Sequence, residues 1–339
     1  MTAPKIWNAF TSAKQVAELA GVSRSAVSRA FTPGASISEE KRQRVISAAE
    51  QLGYHVNHLA RGLLSKSSGI VCLVVADSDT PYQARMVRML AEQLQKAGKV
   101  AMVLDTSGAR DNVEQALRQT LNYRADATVV LSGSPPQSII RTCFDNGQRL
   151  ILINRDDALA GPYNICLDSE AAARTALHAF LRASCRRLAV VTSEAGTPSL
   201  LEREQSFTRL AAEAGIEHVV WRQGRTGYET GAAGARALLS GPDRPDAAFC
   251  VTDLIACGFM DAARHEFGLG IPKDLCVIGF DDIEQADWAS YRLTTFAAPV
   301  AKVAARVVEL VTANDDFVWQ EHKTVFEAPI VWRGSVRPR

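Results

Sequence analysis

The sequence is poor in the signatures that mark enzymes built on layered α/β folds. It has no GxSxG elbow, no Walker A loop, no HExxH and no GxGxxG between a strand and a helix. Dehydrogenase and kinase chemistry are thereby disfavoured, and neither catalytic residues nor a cofactor is expected. The one glycine-rich run, GYETGAAG at 227–234, reads better as a close-packed helix. Metal chemistry lacks support as well: the six histidines are scattered, with no zinc spacing among them. The seven cysteines (72, 143, 166, 185, 250, 257 and 276) are odd in number and form no CxxC, and most fall in apolar strand-like contexts. They read as reduced core residues. No stretch approaches the ~18 consecutive apolar residues of a membrane span. The opening MTAPKIWNAFTSAKQ holds no apolar run long enough for a secretion signal, so a cytoplasmic protein without a membrane partner is expected.

Net charge is almost absent too, since 38 Lys and Arg against 37 Asp and Glu leave +1. That balance hides an asymmetry. Residues 1–66 hold nine basic residues against four glutamates, while the remainder holds 29 against 33. A basic head on an acidic body suits a polyanionic partner confined to one end. The length of 339 residues, 47% hydrophobic and 22% charged, indicates a soluble globular chain of two or three domains.

Within the basic head, KQVAELAGVSRSAVSRAF (14–31) has helical apolar spacing at Val16, Ala17, Leu19 and Ala20 and a break at Gly21. Ser23 is a good N-cap for a second helix. Ala26, Val27 and Ala30 would face the first helix, leaving Ser23, Arg24, Ser25, Ser28 and Arg29 outward. Such a small, basic, hydroxylated face fits a DNA major groove: arginine can fork onto guanine, while serines and the helix start hold phosphates. An ordinary helical hairpin with solvated arginines carries the same pattern. Ser38 then opens a third helix with Glu39 and Glu40 in its first turn and an apolar stripe of Val45, Ile46, Ala49 and Leu52.

The run VAELAGVSRSAVSRAF…ISEEKRQRVISAAEQLGYHVNHLARGL closely resembles the lactose-repressor (LacI) family of bacterial transcription regulators, densely over about the first 65 residues. The resemblance implies that Arg24, Ser25 and Arg29 read base edges, with Ser12, Ser23 and Ser36 nearer the phosphates. It places Asn57, Ala60 and Leu63 in a hinge helix that orders on operator DNA, Leu63 being the wedge that kinks a base step. Val56 stands where the family usually has proline, Thr32 where it has asparagine, and Gly62 lies inside the hinge. Glycine costs about 1 kcal/mol in a helix relative to alanine. A hinge disordered off DNA is therefore expected.

Beyond the linker KSSG (66–69), apolar strands at 70–76, 100–106, 127–133 and 150–154 alternate with helices at 84–97, 113–123 and 138–146. The alternation starts afresh with helices at 170–182, 202–214, 228–239 and 254–267 and strands at 187–193, 218–223, 247–253 and 274–282. Two such βα sets predict an α/β core of two doubly wound parallel-sheet subdomains below an all-α helix-turn-helix head, with a cleft at the carboxyl ends of the strands. The core also resembles the family's periplasmic-binding-protein-like effector core over 69–335, most recognisably in VIGFDDI (277–283), LTT (293–295) before Pro299, and APIVWRGS (328–335). The resemblance implies three crossings, near 166, 296 and 320. The expected domains are then 1–56 for the head, 57–68 for hinge and linker, and 69–339 for the effector-binding and dimerisation core. Within that core, subdomain 1 takes 69–166 and 297–318, and subdomain 2 takes 167–296 and 319–335.

Polar residues at strand ends are the candidates for the cleft. Asp281 is the strongest, since a carboxylate accepts from adjacent hydroxyls of a sugar-like effector. Arg203 matches the arginine the family sets against its effector, and could pair bidentately. Asp77 and Tyr82 fall in the first cleft loop, Asn154 and Arg155 end one strand, and Thr252 ends another. Thr252 stands where asparagine is usual and Ser206 where glycine is. Asp281 could instead cap a turn with Asp282, and Arg203 could be a surface helix charge.

The reading is a sequence-specific transcriptional regulator, most simply a repressor. As a homodimer it would bind palindromic double-stranded operator DNA in the nucleoid, under control of a sugar or sugar derivative, neutral or acidic. Helices 84–97 and 254–267 are the expected dimer contacts. Induction and corepression both fit. The alternative is a constitutive DNA-binding regulator with a vestigial or non-sugar pocket. A free-standing sugar-binding protein would share the core but would not carry the basic head.

Overall fold

The structure, a computed structural model, describes residues 11–32, 34–55, 67–106, 110–131, 135–154, 161–313 and 322–338. The chain divides between Ser68 and Gly69 into two compact units. Of the sequence candidates, Asn57, Ala60, Leu63 and Arg155 lie outside the described residues, as do Val56 and Gly62.

The first unit holds three helices, α1 (Ala13–Ala20), α2 (Arg24–Ala30) and α3 (Glu39–Leu52). Ser12 starts α1 with a capping box: its hydroxyl accepts from the Gln15 N–H and the Gln15 side chain reciprocates. Gly21, at φ 62°, supplies the left-handed turn that ends α1. Val16, Val27 and Val45 are sealed at the meeting of the three helices, and Arg42 bolts α3 to the end of α2 by donating to Ala30 O at 2.6 Å. Two details differ from the sequence expectation. Leu19 is half-exposed rather than part of the core, because the third helix covers the Val16–Ala17–Ala20 side. Ser38 occupies the N-cap position of α3 without a side-chain hydrogen bond.

The second unit contains two parallel sheets. One holds six strands in the order β11-β5-β4-β3-β1-β2, with β1 Ile70–Val75, β2 Val100–Asp105, β3 Ala127–Val130, β4 Arg149–Ile153, β5 Tyr163–Leu167 and β11 Lys323–Phe326. The other has four strands in the order β7-β6-β8-β9, with β6 Arg187–Thr192, β7 Glu217–Arg222, β8 Ala247–Cys250 and β9 Cys276–Ile278. A short antiparallel ribbon of β10 (Thr295–Phe296) and β12 (Ile330–Val331) completes it. Helices α4 (Pro81–Lys96), α5 (Arg110–Asn122), α6 (Gln137–Asp145) and α11 (Val300–Thr312) go with the larger sheet. Helices α7 (Ser169–Arg182), α8 (Pro198–Glu213), α9 (Tyr228–Leu239) and α10 (Asp253–His265) go with the smaller. All six residues of β1 are buried, as a central strand covered on both faces requires. All seven cysteines are buried, and none is in a disulfide.

Three sequence expectations are corrected. Residues 323–326, assigned to subdomain 2 within 319–335, form β11, which pairs in parallel with β5 at the edge of the larger sheet. The chain therefore returns to the second subdomain only after Phe326. The strand expected over 274–282 is ladder only over Cys276–Ile278, since beyond it the backbone turns into the cleft loop. Finally, helix α10 has almost no free face for a dimer contact, because its residues from Ile255 to Met260 are all buried within the chain. The exposed valines of the core lie on edge strands instead: Val100 and Val103 on β2, Val219 and Val220 on β7, and Val325 on β11.

The burial of α10 has a local cause. A Cβ on Gly231 would stand 1.9 Å from Ile255 O, and one on Gly258 would stand 1.9 Å from Tyr228 O, so α9 and α10 cross with their backbones in contact. Gly258→Ala gains about 1 kcal/mol of helix propensity. No rotamer can relieve a clash with backbone, and overpacking of this sort costs about 1–3 kcal/mol or more. A lower urea midpoint for Gly258→Ala, read by circular dichroism, is the expected outcome; an unchanged or higher midpoint would contradict the helix contact.

Candidate functional site

On the first unit, the outward face of α2 is as the pattern required. Ser23, Arg24, Ser25, Ser28 and Arg29 are exposed, whereas Ala26, Val27 and Ala30 are buried. The Ser23 hydroxyl accepts from Ala26 N–H at 3.3 Å and lies 2.9 Å from the Ser25 hydroxyl. Arg29 folds along the helix, its Nε–H donating to Ser25 O at 3.3 Å. These are local, exposed bonds that a stronger acceptor can replace. Ser12 and Ser36 are exposed as well.

The second unit holds a cavity of about 530 Å³ at the carboxyl ends of both sheets. Asp77, Tyr82, Asn154, Arg203, Thr252 and Asp281 all line it, so every described effector candidate converges there. Asp77 comes from the β1–α4 connection, Tyr82 from the first turn of α4, Asn154 follows β4, Arg203 projects from α8, Thr252 caps α10 and Asp281 follows β9. Leu131, Ile153, Leu200, Leu254 and Ile283 give the cavity a large apolar wall.

Arg203 and Asp281 form its most buried polar element, at 3% and 5% exposure. Arg203 Nη1–H donates to Val251 O at 2.7 Å and to Asp281 Oδ1 at 3.3 Å, and the guanidinium lies 3.5 Å from the centre of the Phe280 ring. Nothing among the described residues accepts from its Nε–H, and the amide oxygen of Gln83, which lines the cavity from α4, is also unpartnered. Asn154 donates to the Tyr82 hydroxyl at 3.1 Å. Burial, reinforced by the charge of Asp281, raises the Tyr82 phenol above its usual range, so it stays a neutral donor. Asp77, Asn154 and Asp281 all have positive φ, at 52°, 59° and 116°. Asn and Asp tolerate that region better than other side chains, and such conformations cluster where a site needs them.

Several contributors were not singled out in the sequence. Arg85 of α4 reaches across to the second subdomain, its Nη1–H and Nη2–H donating to Asp282 O and Asp281 O at 2.7 and 2.8 Å. At the cavity wall, exposed Arg225 pairs with Asp77 at 2.6 Å, again between subdomains. Asp253 is fully buried below the wall: Thr295 Oγ donates to its Oδ1 at 2.5 Å and Ile283 N–H to its Oδ2 at 2.9 Å. It thus fastens the cleft loop, the start of α10 and the crossing strand β10 to one carboxylate. Arg85 and Arg225 are arginines on amphipathic or loop segments, which sequence pattern does not separate from solvated charges. Asp253 reads as an ordinary helix-start acid.

Burial, then the neighbouring Asp281 charge, pushes the Asp253 carboxyl from 3.8 up to about 7. Burial likewise takes Asp281 up to about 6, against the opposing pull of Arg203. Both groups hold protons in the folded chain that the unfolded chain releases. Their contribution to stability is therefore complete below about pH 4 and is lost as pH rises through about 6 for Asp281 and about 7 for Asp253. The urea midpoint of the core should fall between about pH 4 and 7 and level off above, and Asp281→Asn should flatten that dependence below about pH 6. An unchanged slope in the variant would remove Asp281 from the titration.

Comparison with known proteins agrees with both halves of this geometry. Residues 12–57 match the bacterial regulatory proteins of the lacI family, and residues 177–336 match a periplasmic binding protein-like domain. The chain is 30% identical over 329 residues to the HTH-type transcriptional regulator GalR of Escherichia coli (strain K12), covering 95% of each. It is 27% identical to the ribose operon repressor of Haemophilus influenzae, covering 95% of this chain and 98% of that one. Among solved structures, the lac repressor dimer bound to operator and the anti-inducer ONPF aligns with TM-score 0.84 at 18% identity, over 96% of this chain and 99% of that one. A regulator from Silicibacter pomeroyi aligns with the same score at 20% identity, over 97% and 100%. Solved structures this distant in sequence speak for the fold, while the identity to GalR over nearly the whole length decides descent: this chain belongs to the lacI family of bacterial regulatory proteins.

Proposed function

We propose that this chain is a dimeric transcriptional regulator, a repressor in its simplest form, that reads operator DNA through α2 and is controlled by a polyhydroxylated small molecule in the core cavity. The observation that carries the ligand class is that two residues lining the cavity, one from each subdomain, hold unpartnered groups, a donor at Arg203 Nε and an acceptor at Gln83 Oε1. A hydroxyl can accept from one and donate to the other, whereas a carboxylate or an ammonium serves only one of them. The apolar side chains of the lining suit the CH face of a sugar ring. Asp281 and Asn154 add further hydrogen-bonding capacity, and Arg155 would follow Asn154 at the same strand end. Nothing in this arrangement provides an activated nucleophile beside a base, which favours binding over catalysis.

Arg24, Ser25 and Arg29 are assigned to base edges, and Ser12, Ser23, Ser28 and Ser36 to phosphates. Asn57, Ala60 and Leu63 are assigned to the hinge. Occupancy of the cavity then alters operator affinity by the difference in ligand affinity between the two core states, typically about 1–3 kcal/mol.

An operator selected from random duplexes supplies the tests. By fluorescence anisotropy, Arg29→Ala should lose about 1–3 kcal/mol on that operator and relax preference at one base position. Equal losses on operator and random DNA would reject base reading. A thermal-shift panel of aldoses, glycosides and sugar acids identifies the effector through a raised melting temperature. With that compound, Asp281→Asn should lose the change in operator affinity while binding the operator alone as before; a retained response would place the effector elsewhere.

A further inference from the structure

Each helix of the first unit leaves its last four carbonyls without intrahelical donors. α1 and α3 meet this need with a left-handed glycine just past the end, Gly21 at φ 62° and Gly53 at φ 60°. α2, seven residues long, has Phe31 there instead, at φ −93°. Its carbonyls are taken in another way. Thr32 Oγ1–H donates to Ser28 O at 2.9 Å and Thr32 N–H to Arg29 O at 3.1 Å. From α3, Arg42 donates Nη1–H to Ala30 O at 2.6 Å and Nη2–H to Ala35 O at 3.3 Å, so one planar fork spans the helix end and the chain beyond it. Its positive charge also stands at the negative end of the helix dipole. Arg24 and Arg29 are exposed, whereas Arg42 is partly buried and its donors are spent inside the unit.

We propose that Arg42 and Thr32 are positioning residues for DNA reading, which hold the last turn of α2, and with it Arg29, in the conformation that reaches a base. The inference rests on the assignment of Arg29 to a base edge. A helix this short is marginal by itself, and the turn lost first is at an end. Packing holds the last turn only on its inner side, through Val27 and the small Ala30. The outer side, where Ser28 and Arg29 are exposed, depends on the two caps. An arginine fork must meet two acceptors on a guanine edge at once, and it stands several bonds from its backbone, so a small rotation of that turn breaks the match. Sequence preference is what suffers, because base contacts specify whereas phosphate contacts only position.

The test is a double-mutant cycle in the full-length protein, read by fluorescence anisotropy on the selected operator and on a random duplex. Arg42→Ala should weaken operator binding about tenfold, the scale of one lost bidentate base contact, and relax preference at the same base position as Arg29→Ala. Affinity for the random duplex and its salt slope should not change. In the Arg29→Ala background, Arg42→Ala should cost nothing further on the operator, since the side chain it positions is gone. Losses that multiply in the cycle would overturn the proposal. So would a loss on the random duplex with a salt slope lower by about one, the mark of a direct phosphate contact. Arg29→Ala losing equally on both duplexes would instead sink the base-reading assignment, and this proposal with it. Thr32→Val, which removes only the hydroxyl cap, should show a smaller operator loss that likewise vanishes in the Arg29→Ala background. That second cycle decides the matter if circular dichroism shows Arg42→Ala to be unfolded.

Discussion

A guanidinium and a carboxylate withdrawn from water together, Arg203 and Asp281, set the terms on which the core is built. Desolvating each ion costs several kcal/mol, and a buried pair of this kind often adds nothing to stability over an apolar replacement. The neighbourhood is arranged to offset that cost: Val251 O accepts from the same Nη1–H, and Phe280 offers its ring face to the guanidinium. Even so, burial pushes the Asp281 carboxyl up to about 6, so that it gives up its proton far less readily than a free carboxylic acid. Stability therefore does not account for the pair, and its place in a cavity wall with one N–H still unpartnered accounts for it better.

The loop from Gly279 to Ile283 shows how such a site is held. Asp281 is extended past β9 and fastened to the crossing segment by its N–H to Phe296 O at 2.9 Å. Behind it, Asp253 takes bonds from Thr295 and Ile283, and a Cβ on Gly279 would meet Asp253 Oδ1 at 2.2 Å. Only glycine lets that carboxylate approach. The loop that presents Asp281 to the cavity is thus packed against the strand on which the chain passes between subdomains.

Much of this was legible in the residues. The 3.6-residue spacing of Val16, Ala17 and Ala20, the Gly21 break and the outward Arg24 and Arg29 came through unchanged, because a small three-helix unit leaves its core few choices. Continuous apolar strands such as IVCLVV also survived, since burial on both faces removes alternation and leaves length as the guide. Strands β5, β10, β11 and β12 were missed for the opposite reason. They are short, and KTVF alternates exposed and half-buried residues at a sheet edge, with a pairing partner, YNICL, some 160 residues away. In the site, the strand-end Asp and Asn residues were recoverable from position alone. Arg85 and Asp253 were not, because what distinguishes them is the partner that folding brings to them.

Two kinds of contact join the subdomains at the cleft, and their magnitudes separate their roles. The Arg225–Asp77 pair is solvent-exposed, with Arg225 at 83% side-chain exposure, and such pairs contribute about 0–1 kcal/mol and weaken with salt. Arg85 makes two charge-assisted bonds from a partly buried position to the carbonyls of Asp281 and Asp282, each of a class that contributes about 1.5–3 kcal/mol. The larger hold is therefore on the backbone of Asp281, the residue whose carboxylate lines the cavity beside Arg203.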